Sequence, residues 1–188
     1  VKTFLPALAI TAAIAAPAYA APAPAWTVDK AASKATFASS FDGTAFNGSF
    51  RTWDAAIRFD PANLAGSSVT ATFNTASAAT GDPSRDKALP GADWFSSQAF
   101  PTATFKATSF KSLGGNKYQA IGNLTIRGVT KPLTLPFTLV TTGDTAKMTS
   151  SIGINRLAFG VGQGEWKTTA VVPGTVTVNI NLTAKRAK

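Results

Sequence analysis

The chain has 188 residues, 45% hydrophobic and only 14% charged, so it can bury the core of one ordinary domain and lacks the composition of a disordered chain. It holds no cysteine and no histidine, which excludes disulfides, Cys or His metal sites, covalent haem attachment and histidine-activated nucleophiles. The net charge of +9 comes from Lys and Arg residues spread singly, with one cluster at Lys185-Arg186-Ala187-Lys188; this reads as a solubilising surface and not as a nucleic-acid footprint.

Lys2, an apolar run over residues 4–16 and the small-x-small triplet Ala18-Tyr19-Ala20 make a secretory signal over residues 1–20. The run is too short to span a bilayer, which takes about 20 apolar residues. Cleavage after Ala20 and a periplasmic destination are expected. Residues 21–25, Ala-Pro-Ala-Pro-Ala, read as a short extended linker, and residues 26–188 as one domain.

From there period-2 alternation takes over, the mark of half-buried strands. Residues 34–41 set Ala35, Phe37, Ser39 and Phe41 on one face, and residues 53–59 form a second run. Val69, Ala71 and Phe73 alternate with Thr70 and Thr72. Residues 83–89 form the one helical stretch, a short turn ended by Pro90-Gly91. Strands follow over 102–110 and 118–126. Leu133, Leu135, Phe137 and Leu139 make a row expected to share one buried face, with Pro136 outside it at a bulge, an edge or a weakly paired place. Residues 147–154, then Val176, Val178, Ile180 and Leu182, complete eight or nine strands. Asp42-Gly43, Asn47-Gly48, Asp60-Pro61, Gly114-Gly115-Asn116, Gly143-Asp144 and Pro173-Gly174 supply turns.

So many short strands must stack as a sandwich or close as a barrel to hide their edges. The predicted architecture is all-β: a single antiparallel barrel of about eight strands with a short helical turn. Its apolar faces are rich in phenylalanine (Phe37, Phe41, Phe46, Phe50, Phe59, Phe73, Phe105, Phe110 and Phe137), which suits a tight core and an apolar pocket equally. Catalytic motifs are weak. Ser84 and Lys87 have S-x-x-K spacing without the partner elements of penicillin-recognising enzymes, and Gly160, Gly162 and Gly164 lack a strand-to-helix setting. Asp82, Asp86 and Asp93 match no calcium loop. No metal site and no catalytic residue is assigned.

Several motifs in order resemble the YceI-like polyisoprenoid-binding family, whose barrel is lipocalin-like. They are Trp26-Thr27-Val28-Asp29, Asn47-Gly48-Ser49-Phe50, Arg85-Asp86-Lys87-Ala88-Leu89, Ala92-Asp93-Trp94-Phe95, Phe100-Pro101-Thr102-Ala103-Thr104-Phe105, and Gly122-Asn123-Leu124-Thr125-Ile126-Arg127-Gly128-Val129-Thr130-Lys131-Pro132. Ala88 stands where many members have histidine and Trp94 where phenylalanine is usual, so a head-group role of that histidine does not carry over. Residues 155–166 look like a subgroup associated with membrane b-type cytochromes, which implies such a cytochrome as an alternative partner. The resemblance implies non-catalytic binding of an isoprenoid lipid or isoprenoid quinone, with no other cofactor; oligomeric state is left open. A long prenyl chain needs an apolar sleeve, because each buried CH₂ is worth about 0.8 kcal/mol. Candidate wall residues are Phe37, Phe41, Phe46, Phe50, Trp53, Phe95, Phe105 and Phe137. Arg85 and Lys87 are candidates for a head group at the mouth, and Ala107 is expected to point inward beside Phe105.

Overall fold

The computed structural model describes residues 21–187; the expected signal segment, its cleavage site and Lys188 lie outside them. Strands β1 (Ala25–Val28), β2 (Lys34–Phe41), β3 (Thr44–Phe50), β4 (Trp53–Arg58), β5 (Ser68–Asn74) and β6 (Ala78–Ala79) precede the helix α1 (Pro83–Ala88). Then come β7 (Thr102–Gly114), β8 (Lys117–Ile126), β9 (Val129–Thr142), β10 (Thr145–Asn155) and β11 (Thr175–Arg186). Every pairing is antiparallel, and the order β1-β4-β5-β7-β8-β9-β10-β11 returns to β1, so eight strands close a ring.

Strand β11 makes closure possible. Its residues 184–186 pair with β1, and residues 177–181 pair with β2 on the same edge. Between the two the chain makes an excursion, and the Thr183 backbone is kept satisfied: its carbonyl accepts from the Asp29 N–H at 2.9 Å, and its N–H donates to Ser33 Oγ at 2.9 Å. From β2 the sheet continues through β3 to β6 as a flap beside the ring.

The long alternating runs form strands where the pattern places them, and α1 occupies the predicted helical turn, its first turn capped by Asp82 accepting from the Arg85 N–H at 2.9 Å. Strands β1 and β6 escape a sequence reading because four and two residues are too few to show a period. Asn47-Gly48, expected as a turn, lies instead inside β3, paired with Ala38 and Phe37 of β2, because the glycine there makes room for the Phe37 ring and not for a chain reversal. The segment before β1 is extended and also anchored. Ala23 is buried, its N–H donates to the Gly66 carbonyl at 2.9 Å, and Asn63 Nδ2 donates to the Ala21 carbonyl at 2.8 Å.

Leu133, Leu135, Phe137 and Leu139 share the inward face of β9. Pro136 points outward, at the place where the β9–β10 ladder ends: only residues 138–142 of β9 pair with residues 145–149 of β10. Ser150 Oγ donates to the Pro136 carbonyl at 2.6 Å across that gap. The missing proline N–H therefore costs no ladder bond.

Lysines that are isolated in sequence are gathered in space. Strands β7 to β11, adjacent in the ring, contain no Asp or Glu, yet carry Lys106, Lys111, Lys117, Lys131, Lys147, Lys185 and Arg186.

Gly48 lies directly across from Phe37, and a Cβ there would overlap the Phe37 ring. The glycine is what lets that ring lie flat on β3. Gly48→Ala should displace it and cost about 1–3 kcal/mol through overpacking, read by denaturant unfolding; an unchanged midpoint would show that the flap yields freely.

Candidate functional site

The barrel is not filled by its own side chains. It encloses a cavity of about 560 Å³ whose wall is drawn from all the long strands and from the segments around α1. Eight strands give an interior that side chains can fill or that can hold one small ligand. Here small residues along the wall (Ala35, Ala55, Ala71, Ala103, Ala120 and Ala146) leave the space open. Ala55, Ala71 and Phe105 are neighbours across β4, β5 and β7, so one level of the wall is two methyl groups beside a ring.

All eight candidate wall residues line this cavity: Phe37, Phe41, Phe46, Phe50, Trp53, Phe95, Phe105 and Phe137. The other phenylalanines singled out on apolar faces, Phe59, Phe73 and Phe110, line it too. The aromatics divide into two groups. Towards the β7–β8 and β9–β10 turns, the Phe59 ring centroid lies 5.3 Å from Phe110, 5.6 Å from Tyr118 and 5.8 Å from Phe137. Trp26 closes this group and donates its indole N–H to the Phe59 carbonyl at 2.9 Å. Towards the opposite end, Phe50 stands between Phe37, Phe73 and Phe95 at 5.5–5.8 Å. Ala107 faces inward, buried with Phe105 and Ala120, but lies off the cavity wall.

Polar wall residues are few and mostly at one end. Thr80, Asp82, Ser84 and Arg85 form a rim beside α1, with Ser39 and Arg156 further along the wall and Thr141 at the other end. The Arg85 guanidinium lies over the Phe46 ring at 4.6 Å, with Nε donating to Thr80 Oγ1 at 3.3 Å and Nη1 3.7 Å from the Asp82 carboxylate. Ser39 Oγ is buried with no hydrogen-bond partner. Arg85 thus stands at the rim with Ser84, whereas Lys87 is exposed and off the wall. Ala88 is on the wall, so the family histidine position faces the cavity, and in this chain it offers a methyl group.

Two segments cap the rim end. Residues 89–101 meet residues 156–174 through the Asp93 carbonyl, which accepts from the Gly162 and Gln163 N–H groups at 2.8 and 2.7 Å. The Gly160–Gly164 stretch belongs to this cap: all three of its glycines have positive φ, and 3-10 turns flank it on both sides. Arg127, at the β8–β9 turn, fastens the first segment by donating to the Ala92 and Trp94 carbonyls.

Arg156 organises the second segment. It is 4% exposed, and its guanidinium donates to the carbonyls of Val161, Trp166, Thr168, Val172 and Pro173. It also lies 5.5 Å from the Trp94 ring, and Trp94 packs on Trp166 at 5.5 Å. Burial without a carboxylate lowers its pKa from the ordinary arginine value. Neither Arg127 nor Arg156 was picked out from the sequence as functional. Each sits inside a quoted motif, and the available signal was an arginine amid apolar and glycine residues. Among the described residues, no three of Asp, Glu, Cys and His come together as a metal site, and Asp82, Asp86 and Asp93 act in capping and hydrogen bonding.

Comparison with known proteins places the architecture. The family model described as the YceI-like domain matches residues 26–184. Protein YceI of Escherichia coli O157:H7 is 41% identical over 97 residues, which are 52% of this chain and 50% of that protein; the chain spans about half the length of the curated relatives it matches. Among solved structures, BcnA of Burkholderia cenocepacia has a TM-score of 0.81 at 37% identity, covering 84% of this chain and 99% of that one. A polyisoprenoid binding domain from Saccharophagus degradans, implicated in plant cell wall breakdown, has a TM-score of 0.67 at 14% identity, over 87% of this chain and 99% of that one, a likeness of fold alone.

The cap and rim generate two expectations. Arg156→Met removes the donor of five carbonyls, two of them in fully buried bonds, and should cost about 3 kcal/mol or more, since each buried group left unpaired costs ~1–3 kcal/mol. Urea unfolding measures this, and protease cleavage within residues 156–174 locates it; Arg156→Lys should recover little, because an ammonium cannot reproduce the fork. At the rim, hydrogen bonds from the Thr80 hydroxyl and N–H, 2.7 and 2.6 Å, hold the Asp86 carboxyl below the usual carboxylate pKa. A depressed pKa stabilises fully above the unfolded value near 4 and loses that contribution as pH falls through the folded value. The rim should therefore loosen only in acid, and Asp86→Asn should flatten that dependence in amide exchange at Thr80.

Proposed function

The chain belongs to the YceI-like domain family, and from that membership we propose that it holds one long apolar molecule, an isoprenoid-type lipid or isoprenoid quinone, inside its barrel without chemical turnover. The observation that carries the reading is the cavity: about 560 Å³, aromatic at both ends, methyl-lined at the waist, with polar groups confined mainly to one rim. That size falls in the range of about 300–1,000 Å³ typical of ligand pockets. A slender chain gains about 0.8 kcal/mol for each CH₂ it removes from water, and such a wall gives it little else to bind. A shared fold with the Saccharophagus degradans polyisoprenoid binding domain adds support.

In this reading Phe37, Phe50 and Phe95 grip the part of the chain nearest the cap, Phe105 flanks its middle, and Phe137 meets its far end. Arg85, with Thr80 and Ser84, meets a polar head at the rim, and Ala88 leaves that contact weaker than a histidine would. Export to the periplasm, with cleavage after Ala20, belongs to the same proposal and rests on the apolar run 4–16 followed by Ala18-Tyr19-Ala20.

Lipid extraction and mass spectrometry of the purified protein test it, and one apolar chain per barrel is expected. Ala71→Trp, which fills the waist, should abolish co-extraction while leaving the circular dichroism of a barrel; Ala71→Phe is the milder variant if the first does not fold. Phe105→Ala in the emptied protein should cost clearly less than the ~3–5 kcal/mol of a solid core, because space already adjoins the ring. A loss at that full value, together with no extractable lipid, would leave a plain packed barrel.

A further inference from the structure

We propose that the outside of the β7–β11 wall, at the end bearing the β7–β8 and β9–β10 turns, docks onto an anionic phospholipid surface. Five adjacent strands without one Asp or Glu make a sheet exterior of a single sign. Outward positions at this end carry Lys111, Lys117, Lys147 and Lys185, all exposed. The acidic residue of the β9–β10 turn, Asp144, lies 3.7 Å from Arg186 and so is already partnered.

Two aliphatic side chains protrude among these cations. Val140 is 51% and Leu113 48% exposed, above every other large hydrophobic residue described. Val140 stands opposite Lys147 in the β9–β10 register, and Lys117 opposite Thr138, two residues away on the strand of Val140. Lysines around protruding aliphatics are the pattern of a surface that attracts phosphate head groups and then inserts lightly between them. The patch also adjoins the cavity end lined by Thr141 and Pro61, Thr141 being the next residue after Val140.

The chemistry favours a bilayer over an acidic protein. Protein interfaces are enriched in aromatics and arginine and depleted in lysine at their centres. Here the free cations are all lysines, compact charges on flexible stems that suit mobile head groups, and the single arginine is engaged by Asp144 and by the Trp26 ring at 5.0 Å.

The experiment is co-sedimentation of delipidated full chain with phosphatidylcholine vesicles, with and without phosphatidylglycerol. Because sedimentation reads the outer surface, its outcome is separate from whatever the barrel holds. Binding is expected only to vesicles containing phosphatidylglycerol, and it should weaken as added salt shortens the screening length. Each lysine at such a surface contributes about fivefold to partitioning, so the double variant Lys117→Glu/Lys147→Glu should lower it at least ~25-fold. Arg51→Glu/Lys167→Glu makes the same charge change away from the wall and should lower it far less. All four sites are exposed, so thermal unfolding should show both variants folded. Absence of binding to phosphatidylglycerol vesicles would overturn the proposal, as would equal losses in the two variants. Complete displacement from the vesicles by soluble polyglutamate at equal charge concentration would also overturn it, since that would mark an acidic polypeptide as the preferred occupant.

Discussion

The two-sided pairing of β11 is the interaction on which the rest depends. One edge of that strand holds β10 along its whole length; the other is divided between β1 and β2, with Ser33 and Asp29 satisfying the residue left between them. Without β1 against residues 184–186 there would be no bridge to β4, and the sheet would lie open. Without β2 against residues 177–181 the flap bearing Phe37, Phe46 and Phe50 would have no root. Closure in turn fixes which side chains face inward, because alternation leaves each strand no choice once its edge partners are set. The cavity follows from closure combined with alanine at the waist.

How much of this was legible in the sequence depends on element length. Most strands of seven or more residues announce themselves by alternation, and β2 was readable to its ends because Ala35, Phe37, Ser39 and Phe41 keep the period unbroken; β3 was hidden by the turn-like Asn47-Gly48 at its centre. The eight wall aromatics were legible for the same reason: each sits at an inward parity of a long run or in a motif whose order is distinctive. Lys87 went astray because a one-and-a-half-turn helix does not declare which side meets its neighbour, and Arg85 turned inward while Lys87 did not. The cap stayed hidden because it is held by backbone carbonyls. Five carbonyls converging on Arg156 leave no trace in residue types. The charge distribution was misleading in one dimension, since lysines separated by many residues become neighbours only when the hairpins fold.

The ends of the barrel are chemically unlike. Around the cap lie Asp82, Asp86, Asp93 and Glu165, engaged in helix capping and loop joining or exposed beside them, together with an arginine whose charge is dispersed over carbonyls. Around the turns at the opposite end lie lysines and protruding aliphatics over a plug of stacked rings. For a ligand held as proposed, ends so unlike would set a direction of entry without any moving part.

The gap where β9 leaves β10 has a consequence for self-association. Backbone groups alternate sides along a strand, and the Pro136 carbonyl points towards β10, so the N–H positions of residues 130, 132, 134 and 136 point to that unpaired edge. Two of those four positions are proline and donate nothing. An exposed edge is ordinarily a template on which another chain can add a strand, and proline is among the few residues that disable it. The same placement that costs the barrel no ladder bond also halves the donors its open seam presents, which makes that seam a poor template for an added strand.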